Sequence, residues 1–523
     1  MKKRIVLLLA LVMSATLTCG SVTAEEAGSP AAEASAYGEG DSVSRSFESV
    51  TADTGAGVAV SAEDGGTAYV EVSGDVSVSG PAGETGEVTG TEVYGGTDAS
   101  AEAEIGGNVQ VSSENGDNAA GISLLGNGGK AEAEVEGDVT VSAEGGNAEG
   151  ISVQSNVGGK AEADVDGGIT VSADTGDASG IAVLGNGGDV EIEVNENVAV
   201  TASDGKAEGI RVSDAERSGN IDVEAKSDVT ASGPSGSGSS GITVNLSPGK
   251  GSKKTAITVG GDVSGTDAGL TVNSVSEKGT SAVADVTIKG TLKSGSGTAV
   301  LLSEGVTADN LNLTVWKIEG DVLQAAGDSG EPVSNDVTKA VEEKIRYIIA
   351  IKSGQEDIFD GTAETAGAGE TVTVKINVPS GYKLNGAFNG KDERVPLLKN
   401  ADGSYYVKVP KGGGVYLSVS LSYVPDYSSF CCRTLCVQAV DMVKVRYELD
   451  GGLTKDGEEG PIEKKVPAGT RMTLPEEPVK EGYVFDSWKC DDKDIKVSLP
   501  KEEFVAEKDL VFTAVWKENP ERS

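Results

Sequence analysis

The sequence predicts an all-β protein, organised as a right-handed parallel β-helix followed by two small β modules. Three observations predict it. Stretches such as GKAEAEVEGDVTVSAEGGNAEGISV, Gly129 to Val153, alternate apolar and polar residues in three short runs separated by glycine. Period-2 alternation marks strands with one face in and one face out. The GISV-like run recurs, with starts at Gly57, Gly90, Gly121, Gly150, Gly180, Gly209, Gly241, Gly269 and Gly297, while GDVTVSA recurs from Gly74, Gly107, Gly167 and Gly261. Nine such units at near-constant spacing mark a stacked repeat. The composition agrees, with 73 glycines, 37% apolar residues and only 4% aromatics in 523 residues. A thin coil of small residues suits it better than one bulky core.

The N-terminus, MKKRIVLLLALVMSATLTCGSVTAEE, has a basic head, an apolar stretch from Ile5 to Leu17 and a small-residue site at Val22-Thr23-Ala24. This predicts a secretory signal peptide over residues 1–24, cut after Ala24. The apolar stretch is too short to span a bilayer comfortably. Thr16-Leu17-Thr18 before Cys19 matches a lipoprotein signal poorly. Residues 25–50 are rich in Ala, Ser, Glu and Gly and read as a low-complexity linker.

Residues 51–325 form the repeat region. Each unit holds runs equivalent to Lys130 to Glu136, Asp138 to Ala143 and Gly150 to Val153. Three strands per unit make one coil, with Ala131, Ala133, Val135, Val139, Val141, Ile151 and Val153 pointing inward. An antiparallel sandwich would need chain-reversing turns and alternate units that differ, whereas these units resemble one another. In general pattern the coil resembles the passenger rods of bacterial surface adhesins.

Residues 326–351 change period. Val337, Val341, Ile345 and Ile348 recur at helical spacing, and Ser334 or Asn335 offers a cap, so a short helix running into a strand is expected to cover the solenoid end. Residues 352–423 contain ETVTVKINVPSGYKL and GSYYVKVPKGGGVYLSVSL, two pairs of alternating runs that read as a small β module resembling those of bacterial surface proteins. Residues 424–442 form a linker with Cys431, Cys432 and Cys436 in FCCRTLC. An exported chain favours disulfides, and a bridge from this cluster to Cys490, such as Cys436–Cys490, is the more plausible pairing than adjacent cysteines.

Residues 443–517 carry VRYELDGG, then AGTRMTLPEEPVKEGYVFDSWK, then LVFTAVWK, ahead of a short tail at 518–523. The segment resembles a Listeria–Bacteroides repeat, also called the internalin-B B-repeat, through Tyr447, Gly451, Gly452, Leu474, Pro475, Pro478, Gly482, Tyr483, Phe485, Trp488, Ala514 and Trp516. Asp450 and Ser487 depart from the usual Asn and Gly. The resemblance implies a β-grasp-like fold on bacterial envelope or secreted proteins, with no enzyme activity. It also implies that Tyr447, Tyr483, Phe485, Trp488 and Trp516 are core residues.

Chemistry is limited by what the chain lacks. It has no histidine, which removes Ser-His-Asp and Cys-His catalysis and His-ligated metals. A formal charge of −40 disfavours nucleic acid and anionic membrane surfaces as partners. The GNGG loops at Gly126 and Gly185 lack the Lys-Ser/Thr of a phosphate loop and read as turns. No stretch beyond the leader is apolar enough for a transmembrane helix. The expected function is that of an exported cell-envelope or secreted repeat protein, adhesin-like or structural, that binds an extracellular glycan or protein and needs no cofactor. The alternative is a β-helix polysaccharide lyase or glycosidase, although residues 51–300 contain only Tyr69 and Tyr94 as aromatics and Arg211 and Arg217 as arginines. Aligning coils places Glu132 in register with Glu102, Glu162, Glu191 and Asp222, and Glu134 with Glu104, Asp164, Glu193 and Glu224. Like charges ~4.8 Å apart repel by about 0.9 kcal/mol per pair even in water. The columns therefore read either as a solubilising face or as weak Ca²⁺ ligands through Glu132, Glu134, Glu162, Asp164, Glu191 and Glu193.

Overall fold

The computed structural model describes residues 15–19, 22–24, 30–53, 55–80, 87–114, 116–214, 219–247, 255–275, 280–325, 332–391, 393–424, 442–455, 457–493 and 495–518. It divides into two units, residues 1–425 and 426–523.

The first unit is dominated by a β-solenoid of about ten coils. In a representative coil, strands Lys130–Val135, Val139–Ala143 and Ala148–Asn156 follow one another around three faces. Each pairs in parallel with its equivalent in the next coil, Lys160–Val165, Ile169–Ala173 and Ala178–Asn186. The registers put like on like: Ala131 on Ala161, Val141 on Val171, Ile151 on Ile181. Ala131, Ala133, Val135, Val139, Val141, Ile151 and Val153 all point inward and are no more than 2% exposed. One coil cannot bury this face, and stacking lets successive coils share a single core.

The interior is thin, which explains the recurring glycine. A methyl group added at Gly150 would stand 2.5 Å from Ile169 Cγ2 and 2.5 Å from the Gly180 carbonyl oxygen. Only a residue without Cβ allows the third strand to lie this close to the second. The ninth unit differs from the sequence alignment. Leu270 pairs with Val300, so Gly269 stacks on Ala299, not on Gly297. Gly297 lies at a register shift within the strand Ala284–Leu302, with φ +89° and open space around its Cβ direction.

The solenoid also begins earlier than residue 51, which corrects the linker reading of residues 25–50 from residue 30 onward; residues 25–29 lie outside the described residues. Ala32–Tyr37 pairs with Ala56–Glu63, Ser42–Phe47 with Thr67–Val72, and Val50–Ala52 with Val76–Gly80. The inward positions there are Ala32, Ala34 and Ala36, each 1% exposed. Alanine among serine and glutamate gives weak hydropathy contrast, so the alternation was hard to recognise although its geometry is the same. Of the expected leader, residues 1–14 lie outside the described residues. Ala15–Cys19 and Val22–Ala24 run as strands beside Ser42–Phe47 and Val50–Ala52.

Asparagine and aspartate at the corners lock coil to coil. Asp75 Oδ1 accepts the Asn108 N–H at 2.7 Å, Asn108 Oδ1 accepts Asp138 N–H at 2.8 Å, and Asp138 Oδ1 accepts Gly168 N–H at 2.8 Å. The series resumes from Asn197 through Asp228 and Asp262 to Thr291. A second corner repeats the device with Asn118, Asn147 and Asp177. Corner N–H groups leave the strand ladders, so they need such acceptors.

The last coils are continuous strands, Ala284–Leu302 and Leu311–Ala325, bent round the corners by register shifts. Helix α1, Asp336–Lys344, follows. Asn335 caps it: its Oδ1 accepts Thr338 N–H at 3.0 Å, and Thr338 Oγ1 accepts Asn335 N–H at 2.9 Å. Strand Arg346–Ile351 then pairs in parallel with both Leu311–Ala325 and Val415–Tyr423. Residues 352–423 supply two antiparallel pairs: Thr371–Ile376 with Tyr405–Lys408, and Tyr382–Asn389 with Val415–Tyr423. One hydrophobic core runs from Ala32 to Val419. The 352–423 module is thus packed onto the solenoid end through this core.

The second unit has its own core. Its main sheet has Met442–Glu448 and Leu510–Glu518 side by side and parallel in the centre. Ile462–Pro467 and Tyr483–Cys490 flank them antiparallel. Thr470–Thr473 and Glu503–Ala506 form a separate small ribbon.

Candidate functional site

In the second unit the aromatic pattern residues separate into two groups. Tyr447 and Trp488 are each 1% exposed, with ring centroids 5.8 Å apart and edge to face. Tyr447 also stacks on Phe512 at 5.7 Å, and burial pushes its phenol up to about 12. Phe485 and Trp516 are half-buried and pack on this core from outside. Trp516 Nε1 donates to the Leu449 carbonyl at 3.2 Å. Tyr483 corrects the core expectation, because it is 43% exposed. It starts its strand at the sheet edge, where Lys480 Nζ lies 5.0 Å from its ring centre. Tyr483, Val479, Pro478 and Pro500 line a cleft of about 610 Å³ with Lys455, Lys480 and Lys501 at its rim. Lys455 and Lys501 pair with Glu476 at 3.4 and 3.3 Å, so much of the rim charge is compensated internally.

Cys490 is a partly buried thiol, pushed up by burial. Cys431, Cys432 and Cys436, and hence the Cys436–Cys490 bridge, lie outside the described residues.

On the solenoid, the acidic columns form in the aligned register. Glu102, Glu132, Glu162, Glu191 and Asp222 stack on one outward line, and Glu104, Glu134, Asp164, Glu193 and Glu224 on the next. The first line is less exposed than an outward column suggests: Glu132 is only 9% exposed. Lysines interleave it. Lys130 pairs closely with Glu132 and reaches Glu162 at 3.7 Å, while Lys160 reaches Glu162 at 2.8 Å and Glu191 at 3.1 Å. Lys226 pairs closely with Glu193. Burial, reinforced by Glu132, raises the Glu102 carboxyl above the usual range, and burial with Glu132 and Glu104 does the same for Glu134. Tyr69 heads the array and donates its hydroxyl to Glu104. Among the described residues, no three acidic or cysteine side chains converge to hold a metal ion. The six carboxylates proposed for Ca²⁺ are thus brought into line but not around a common point.

The third solenoid face carries a different surface, unforeseen in the sequence. Its outward residues form two columns across successive coils: Glu33, Ala59, Glu92, Ser123, Ser152, and Ser35, Ser61, Tyr94, Leu125, Gln154. Small residues beside larger ones leave a shallow groove of about 480 Å³, lined also by Pro30 and Tyr37. Tyr37 is 60% exposed. Asn127 Nδ2 donates to the Tyr94 hydroxyl at 3.3 Å, and Ser35 Oγ donates to Glu33 Oε1 at 2.9 Å. A third concavity, about 420 Å³, lies between the last coil and α1, over Ile318, Val322, Ile345 and Tyr347. Lys411 and Glu342 pair across its rim at 2.8 Å.

Residues 444–515 match the model of the Listeria-Bacteroides repeat domain. Comparison with curated proteins gives no match. The chain is thus a modular repeat protein, a β-solenoid combined with a Listeria-Bacteroides-type repeat. No helix among the described residues is long and apolar enough to cross a membrane.

Proposed function

We propose that this protein is an exported, non-catalytic surface protein of a bacterial cell envelope, with an adhesin-like or structural display role. The single observation that carries the reading is the Listeria-Bacteroides repeat at 444–515, joined in one chain to a long solenoid. Such repeats belong with envelope and secreted proteins, and a solenoid offers extended side-chain surface rather than one enclosed pocket. The basic and apolar N-terminus supports export. The acidic surface supports a soluble display face and disfavours polyanionic partners.

In this reading the solenoid gives reach and contact area, and the ligand is an extracellular glycan or protein. The acidic columns act as a hydrated face stabilised by interleaved lysines, and no cofactor takes part. The test is cell fractionation with protease shaving of intact producing cells. The protein is expected in the accessible envelope or medium fraction with Glu25 as its first residue. An intracellular protein retaining Met1 would overturn the export reading. New reducing ends or unsaturated products from a polysaccharide panel would replace it with the carbohydrate-active alternative.

A further inference from the structure

We propose that the groove on the third solenoid face binds a neutral oligosaccharide, an inference that rests on the surface-display reading and names its ligand class. Among the described residues, four of the five strands beneath the groove are paired on both sides, and Ala32–Tyr37 is paired on one, with Ala56–Glu63. The backbone groups of those four are engaged in the ladders, so an extended peptide cannot add as a strand across the body of the groove. Recognition falls to side chains, and those present suit a sugar. Tyr94 and Leu125 are adjacent in one column and offer apolar surface. Glu92 and Ser123 are adjacent in the neighbouring column and offer hydroxyl-matching polar atoms. A sugar has apolar C–H faces rimmed by hydroxyls, so it needs a ring face and acceptors side by side.

Charge narrows the class. Glu33 and Glu92 face the groove, and no Lys or Arg lines it. A sulfated or uronic-acid chain would be repelled, on a protein whose formal charge is already −40. Length narrows it further. The groove crosses five coils, four strand spacings or roughly 19 Å, which exceeds a single sugar. The site is also held in place before binding, because Asn127 fixes the Tyr94 hydroxyl and Ser35 fixes Glu33. On the first face the outward-facing Tyr69 already spends its hydroxyl on Glu104. The second face presents Thr140, Thr170, Ser142 and Ser172 in flat columns, and the first presents the Lys-Glu ladder.

The test uses the full chain against arrayed neutral oligosaccharides, namely β-glucan, mannan, xylan and chitin fragments, with heparin as the anionic comparator. Titration calorimetry follows any hit. Neutral fragments of several sugars are expected to bind and heparin is not. Tyr94→Ala should weaken binding at least tenfold, while Tyr94→Phe keeps most of it. Should Tyr94→Ala lower the melting temperature, Glu92→Lys, a change at an exposed position, is expected to weaken binding in a fold that is intact by circular dichroism. Absence of neutral-glycan binding at millimolar concentration overturns the site, as does preferential heparin binding. Binding to cells or to a protein that Tyr94→Ala and Glu92→Lys leave unchanged also overturns it, yet leaves the display reading standing.

Discussion

Lys160 and Glu191 join neighbouring coils of the solenoid, with Nζ 3.1 Å from the carboxylate, while the same ammonium lies 2.8 Å from Glu162 on its own strand. One cation thus separates two stacked carboxylates. Its removal should expose their repulsion of about 0.9 kcal/mol as well as remove a pair worth up to about 1 kcal/mol. Lys160→Met is expected to lower the melting temperature of the full chain more at 10 mM salt than at 150 mM, where screening is stronger. Differential scanning calorimetry checks this. In the unaltered protein, millimolar Ca²⁺ and NaCl of matched ionic strength should give equal midpoints. A Ca²⁺-specific rise abolished by Gln at Glu132, Glu162 and Glu191 would instead establish cation sites.

The pH dependence follows from Glu102 and Glu134, whose carboxyls are raised by burial and by neighbouring carboxylates. Between the ordinary glutamate value and the raised one, the folded state holds more protons than the unfolded state, so stability falls as pH rises through that window. Melting temperature should therefore increase as pH is lowered from neutral toward the usual carboxylate range. Glu102→Gln with Glu134→Gln should flatten the rise. Carboxyls held low by partners, such as Glu476 by Lys501 and Lys455, act oppositely and lose their contribution only below the ordinary range.

Corner acceptors should be individually measurable. Asn108→Ala removes the acceptor for Asp138 N–H and is expected to cost about 1 kcal/mol by denaturant unfolding. Asn108→Asp keeps that acceptor oxygen but loses the Nδ2 bond to Asp75 Oδ1 at 3.2 Å and sets two carboxylates side by side, so it should recover only part of the loss, and more of it at high salt.

Steric need for glycine can be separated from exposure. Gly150→Ala is expected to cost about 1–3 kcal/mol, because its methyl meets Ile169 and the Gly180 backbone. Gly413→Ala meets nothing within 4 Å and should change stability by less than about 0.5 kcal/mol. Equal effects would show that the coil can yield at this contact.

In the second unit, Trp488, Trp516 and Tyr483 should rank by burial. Trp488→Ala is expected to cost about 3–5 kcal/mol as a large core truncation. Trp516→Ala should cost less, because it is half-buried, and Tyr483→Ala about 0.5–1 kcal/mol, the value of its exposed contact with Lys480. Calorimetric transitions of the full chain report the order.

Much of the solenoid was legible because its pattern is local. The alternation in KAEAEVE fixes which side chains face inward, and repetition fixes which stack, so the Glu132 and Glu134 columns are legible in the sequence. Legibility failed where the cues were weak or distant. Ala32, Ala34 and Ala36 bury as fully as the valines of later coils, yet alanine contrasts little with serine. Glycine recurrence points to Gly297, whereas the pairing of Leu270 with Val300 sets Ala299 beside Gly269. The join between solenoid and the 352–423 segment depends on Thr314 meeting Arg346 and Ile349 meeting Val415, pairs that no periodicity announces. The groove needs Glu92 and Ser123 beside Tyr94 and Leu125, residues from different coils, and becomes visible only when those coils are stacked.

The in-register parallel stacking has a consequence for how such a chain can change over evolutionary time. Inserting one residue within a strand would turn its inward side chains outward, whereas duplicating an entire coil preserves every register and both ends. The molecule can therefore lengthen only in fixed increments, each extending it by about 4.8 Å. It behaves as a molecular ruler with one graduation per coil, its α1-covered end serving as the stop, so that related chains should differ by whole graduations rather than by fractions of one.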